Sequence, residues 1–369
     1  MQCATRLTSV LCFAALTFAP LRADARQRDS VPRAATQAAT ARQEVAWPIK
    51  SREHADLWLH GFAMVSDDSS VVPLFQRGYK AFATRARNKA NAFTELDANR
   101  DMLAKALKEH PALVNAQFLP LYFRDWPELD AALTLLVKSN GNPRAASNQQ
   151  ETAILQMLDA LFPSKDERDF ARRLQTALRS EQEKFFHAWW LAETRRRDRA
   201  LERADSLWQK VHRPKLQNFL NNTQQSNGEV WLALSLEGEG RTVNGGKQQN
   251  IIAVGFPDSA SNALDVVFAL AHEMVGSLTT ASVDDNTTPA EKRSGGAARL
   301  QSIANVRAGA LLMAHLSPEL ATGYARFYLR ASGVKYEGDA MAAFVKAFPV
   351  PPGMLESIER QIAVAFGGI

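Results

Sequence analysis

The stretch that most limits the fold is Asn262 to Thr280, NALDVVFALAHEMVGSLTT. It is helix-length and apolar on nearly every side, so it is satisfied only when other elements surround it. Such a helix forms the centre of a fold rather than its surface. In its middle stand His272 and Glu273, whose burial is costly unless each is hydrogen-bonded or paired. A charged pair inside an apolar helix calls for a structural or a chemical reason.

The start of the chain bears on compartment. A basic opening, an apolar stretch from Leu7 to Phe18 and the small residues of Ala23-Asp24-Ala25 predict a secretory signal over residues 1–25, cleaved before Arg26. The expectation is an exported protein, periplasmic or extracellular. No later run supplies the roughly 20 apolar residues of a spanning helix, so no membrane span is expected. Cys3 and Cys12 fall in the removed segment, leaving a mature chain without disulfide, thiolate nucleophile or cysteine metal site. Its stability then rests on core burial, for which the length suffices. Removal of Arg6, Arg22 and Asp24 takes the formal charge from +5 to +4, a mild balance that gives no reason to expect nucleic acid or an anionic membrane as partner.

Residues 26–46 read as a disordered linker rich in Ala, Gln, Arg and Thr. From 47 to about 225, apolar residues recur at three and four, with breaks at Pro, Gly or Asn, and predict a helical region. Its most charged stretch, Glu193 to Arg203, interleaves acids with Arg195-Arg196-Arg197 and reads as a solvated helix face. The texture changes at Asn227-Gly228. Val230 to Leu236 and Asn250 to Phe256 read as two strands of a small antiparallel hairpin, with Glu237-Gly-Glu-Gly240 as a turn and Gly245-Gly246 as hairpin glycines. After the apolar helix a polar loop is expected over Ala281 to Gly296, followed by helices at Ala298 to Leu316, Pro318 to Ala331, Asp339 to Ala347 and Gly353 to Phe366. The fold class is thus mainly α with a small antiparallel sheet, and the C-terminal region is residues 226–369.

Strands followed directly by a buried His-Glu helix resemble the zincin metallopeptidases, particularly the gluzincin branch. In that family an H-E-x-x-H helix lies under a small sheet, its two histidines bind zinc, and its glutamate acts as general base on the metal-bound water. The resemblance implies His272 as a metal ligand, Glu273 as the base and zinc as the metal. The motif is incomplete, because Gly276 stands where the second histidine belongs, and the following helix, Ala298 to Leu316, carries no acid to serve as third ligand. On a helical wheel Arg307 falls within a stripe of Leu300, Ile303, Ala304, Leu311 and Ala314. An inward arginine needs an acid, and Glu273 is the expected partner, with the guanidinium taking the place of the metal. That arrangement leaves no cofactor to be expected.

Other candidates lie nearby in sequence. Asp265 is seven residues before His272, on the same helix face, which predicts an Asp-His pair. His54, Asp56 and His60 read as polar residues of an amphipathic helix, and sequence alone does not say whether either histidine approaches His272. Tyr324 and Tyr328 are placed beside the apolar helix, lining a cleft or packing in the core. No G-x-S-x-G elbow, phosphate loop or calcium loop is present. Three readings stay open: an eroded metallopeptidase binding a peptide or protein ligand in the old cleft, an active peptidase with a non-standard ligand set, and a structural helical scaffold.

Overall fold

In a computed structural model the protein is described over residues 46–367, apart from 68–69, 71, 245–249 and 294. The expected signal peptide, the linker up to residue 45 and the glycines at 245 and 246 lie outside the described residues.

The chain enters as a three-residue strand, β1 (Ile49–Ser51), and turns at once into α1 (Glu53–Val65). There follow α2 (Tyr79–Lys89), α3 (Glu95–Glu109), a 3-10 segment (Pro111–Tyr122), α4 (Trp126–Ser139), α5 (Gln149–Leu161) and α6 (Lys165–Glu181). Next come α7 (His187–Arg196), α8 (Asp198–Leu207), α9 (Arg213–Lys215) and α10 (Gln217–Asn222). The starts of these helices are written locally. The side chains of Asp125 and Asn148 accept the amides of Glu128 and Glu151, and Thr94 and Ser164 each head a reciprocal capping box. Asn140 ends α4 in the left-handed conformation that Asn tolerates. A π turn at Gln182–Phe186 joins α6 to α7.

The sheet has four strands in the order β1-β2-β4-β3, with β2 at Gly228–Ala233, β3 at Arg241–Asn244 and β4 at Asn250–Gly255. The expected hairpin of 230–236 with 250–256 is corrected. β2 and β4 are parallel neighbours, Val230 opposite Ile252, and the antiparallel partner of β4 is β3, Arg241 opposite Ala253. Two strands joined by a short tight turn must be antiparallel, but here the chain leaves β2, crosses the end of β4 and returns along its far side. Glycines permit the crossing. A Cβ on Gly240 would lie 2.1 Å from Ala253 O, and one on Gly255 would lie 2.7 Å from Leu236 O. Consecutive residues of β2 and β4 are buried, Val230 to Ala233 and Ile252 to Val254, so both faces of the sheet are covered, as parallel strands require. β1 joins the sheet beside β2 from the helical region, so residues on both sides of position 225 build one sheet and one core.

Beyond β4 the chain forms α11 (Leu264–Met274), α12 (Gly276–Asp285), α13 (Pro289–Arg293), α14 (Gly296–Leu316), α15 (Pro318–Ala331), α16 (Ala340–Ala347) and α17 (Pro352–Phe366). The single helix expected from Asn262 to Thr280 is two helices bent by 43° at Val275, and the expected loop after it is largely helical. α11 is buried from Val266 to His272, packed against β4, α14 and α15. Among the described residues no single helix is long and apolar enough to cross a membrane.

α1 differs from its expected amphipathic character, because every residue from His54 to Val65 is buried. Its polar groups are satisfied inside. His54 Nε2 meets the carbonyls of Pro120 and Phe123, and Asp56 accepts the amide of Leu234 at 2.6 Å and the indole N–H of Trp190 at 2.7 Å. His60 lies between Tyr79 and Glu181, and Glu181 also faces Arg87 and Thr94. Arg197 departs from the solvated reading of its stretch: it is buried and donates to the carbonyl of Phe256, holding α8 to the end of β4.

Candidate functional site: the His272-Glu273 turn and the edge strand

His272 and Glu273 occupy the last turn of α11, directly before the bend. Glu273 turns toward β3. One carboxylate oxygen accepts the Gly240 amide at 3.0 Å and the other accepts the Thr242 hydroxyl at 3.3 Å. Burial pushes its carboxyl up to about 7, opposed by the cation of Arg241 and by those two hydrogen bonds, while Glu239 pushes in the same direction as burial. Arg241 lies over the ring of Phe118 at 5.1 Å, which ties the outside of β3 to the 3-10 segment. β3 is the last strand of the sheet, and among the described residues no strand lies beyond it.

His272 is buried, with its ring 5.4 Å from that of Tyr328 and Nε2 3.7 Å from Glu273. Its Nδ1 has no hydrogen-bond partner. Burial pushes the imidazole down to about 4, so it is neutral at neutral pH and forms no ion pair with its neighbour. Tyr328 donates to the carbonyl of Gly238 at 2.9 Å, so α15 anchors the same crossing segment that Glu273 holds from the other side.

The expected pairings are not the ones formed. Arg307 does not meet Glu273. Its guanidinium donates to the carbonyl of Phe348 at 3.1 Å and lies over Phe344. The reason is a small rotation of α14: its buried face runs through Val306, Gly309, Leu312 and Met313, which leaves Arg307 on the flank toward α16. Asp265 does not meet His272 either. It pairs with Arg330 of α15, and burial raises its carboxyl to about 6. Tyr324 reaches no cleft, being fully buried against Phe268, Tyr328 and Phe344. Neither His54 nor His60 bonds to His272; both are engaged on α1 as described.

The residues do not fit a zinc site of the zincin kind. The buried, unpartnered Nδ1 of His272 is a suitable donor atom, but nothing completes the set. Gly276 begins a new helix beyond the bend, and a side chain there would meet only Asn305, at 4.0 Å. Where an acid would project from the following helix, α14 offers Gln301 and Asn305. Gln301 donates to Thr279 of α12 at 2.6 Å and to Asn305 at 2.8 Å, and the Thr279 hydroxyl bonds Asn305. Among the described residues no three His, Cys, Asp or Glu side chains come together at metal-binding separation. The join between α12 and α14 is made by neutral amides and a hydroxyl.

Sequence reasoning missed the partners of Glu273 because β3 is four residues long and hidden among glycines. The signal was present in part: Gly238 and Gly240 marked a place where backbone passes close to something. No family model, no curated protein and no solved structure matches this chain.

Proposed function

We propose that this is an exported, metallopeptidase-like protein whose zinc site has eroded and which binds an extended peptide along the outer edge of β3. The observation that carries the reading is the engagement of Glu273. A general base needs a carboxylate directed at its water, and here both oxygens are occupied by Gly240 and Thr242. The group that would be catalytic in the resembled family instead braces an edge strand against a buried helix. A braced, four-residue strand at the end of the sheet suits strand addition, in which main-chain hydrogen bonds supply affinity and alternate side-chain positions supply selectivity. The order of events in the chain supports the family reading: an antiparallel edge strand, then the inner strand, then the buried His-Glu helix.

The test uses the absence of cysteine from residues 26–369. Val243→Cys in a chain starting at Arg26 carries one thiol, which is labelled with an environment-sensitive fluorophore. Unstructured nonapeptides are expected to shift its emission at micromolar concentration, while the same label at Val334 stays silent. Metal content is measured on the unlabelled protein. Stoichiometric zinc with peptide hydrolysis that is lost in Glu273→Gln would replace this reading by an active peptidase. No response to any peptide at position 243 would remove the strand-addition reading.

A further inference from the structure

A second site lies apart from the His-Glu turn. Between α10, α12 and α17, at the first residue of β4, is a cavity of about 810 Å3, within the size range of sites for small ligands. We infer that it binds the carboxylate end of a peptide. The inference goes beyond strand addition at β3, rests on different residues and stands or falls separately.

The chemistry of the lining selects the ligand. Among the described residues no Asp or Glu lines the cavity, and the one lining cation is Arg360, which is exposed and has no ion-pair partner. A planar guanidinium that is not engaged in an ion pair is suited to a carboxylate, which it binds by two parallel hydrogen bonds. The amide side chains are already half committed. Asn222 donates its NH2 to Ala365 O at 2.9 Å, and Gln361 donates to Ser282 Oγ at 2.9 Å, which leaves both side-chain oxygens as acceptors. Asn250 is 1% exposed, and its NH2 donates to Asn227 O at 2.8 Å, while its Oδ1 has no partner among the described residues. A buried acceptor without a donor is costly and points to a donor supplied from outside. Leu278 and Val364 add an apolar wall, and Val364 is 61% exposed.

The site thus offers several acceptors, one cation and an aliphatic surface. A chain end with backbone N–H donors, a terminal carboxylate and an aliphatic last side chain complements all three. A sugar acid shares the charge, but no aromatic ring lines the cavity for a sugar face to stack on. A phosphate group would call for more than one cation.

The test is calorimetric titration of the protein with acetyl-Gly-Ala-Leu as the free acid and as its C-terminal amide. The acid is expected to bind and the amide to bind at least tenfold more weakly. Arg360→Gln is expected to weaken the acid to the level of the amide with an unchanged melting temperature, because Arg360 is exposed and unpaired. Asn250→Leu, with folding checked by circular dichroism, is expected to weaken both peptides alike. Equal affinity for acid and amide, tighter binding of glucuronate than of the peptide acid, or no binding of either peptide would each overturn the assignment. Binding of the acid with a silent label at position 243 would uphold it while removing the β3 reading, and the converse result would do the opposite.

Discussion

At the scale of single residues, His272 and Glu273 act on stability with opposite signs. Burial lowers the imidazole from 6.5 to about 4, so its contribution is present above pH 6.5 and lost as pH falls toward 4. Burial raises the carboxyl from 4.5 to about 7, so its contribution is present below pH 4.5 and lost as pH rises toward 7. Between these limits the slopes, each at most about 1.4 kcal/mol per pH unit, cancel. The cancellation predicts that each single variant unmasks the other residue. Glu273→Gln is expected to gain stability from pH 5 to 6.5 relative to wild type, and His272→Phe to lose it, each by roughly 2 kcal/mol in urea unfolding. Unchanged slopes in both variants would show that neither group is held as described. The phenylalanine suits the site because Nδ1 has no partner and the ring faces Tyr328. A second residue-scale prediction concerns Gly309, where a Cβ would lie 2.1 Å from the hydroxyl oxygen of Tyr324. Gly309→Ala is expected to cost on the order of 1–3 kcal/mol by overpacking, and Gly309→Ala with Tyr324→Phe to recover part of it. A neutral single variant would remove the close contact.

At the scale of elements, the bend between α11 and α12 separates this protein from a zinc helix more firmly than the missing histidine does. Residues four apart share a face only on one continuous helix, and a 43° bend falls between positions 272 and 276. Gly276→His is therefore expected to leave the protein without stoichiometric zinc by elemental analysis, even though the space beside Asn305 admits a side chain. Tight one-to-one zinc in that variant would mean that the bend relaxes and that one substitution is enough to make a metal site. The brace across the bend is polar, and Thr279→Val is expected to cost about 1–3 kcal/mol, because it strips partners from both Gln301 and Asn305. Long periodic elements were legible in the sequence: Pro318–Ala331 is found with the bounds its pattern implies, and the α14, α16 and α17 ranges agree within about two residues. β1 and β3 were not legible, because three and four residues carry too little alternation to stand out from turns. The parallel pairing of β2 with β4 was hidden for the same reason, since it depends on where β3 goes. The environment of α1 escaped as well: a helix with His54, Asp56 and His60 reads as half-exposed unless the indole of Trp190 and the amide of Leu234 are known to reach it.

At the scale of the whole molecule, the buried titratable groups set a pH profile that no one site dictates. His54, His212 and His272 are all held below the usual imidazole range by burial, so their contributions are lost as pH falls below 6.5. Glu181, ringed by His60, Arg87 and Thr94, and Glu229, held by Lys50, Arg52 and Trp231, are lowered by those partners against the opposing cost of burial. Their contributions go at lower pH still. Asp56, Asp265 and Glu273 work in the opposite direction, raised by burial to about 7, 6 and 7. Below pH 6.5 the histidines and these acids, joined by Glu237, which burial also raises, act with opposite signs. Above 6.5 the half-protonated histidines of the unfolded chain release their remaining protons, which raises stability, while Asp56 and Glu273 release theirs on the folded side, which lowers it. The contribution of one group is isolated by comparison: relative to wild type, Glu273→Gln is expected to gain roughly 0.8 kcal/mol of stability between pH 6.5 and 8. Urea unfolding of both proteins at constant ionic strength decides it: parallel curves from pH 6.5 to 8 would mean that Glu273 is already ionised in the folded protein at pH 6.5, and would return it to the ranks of available bases.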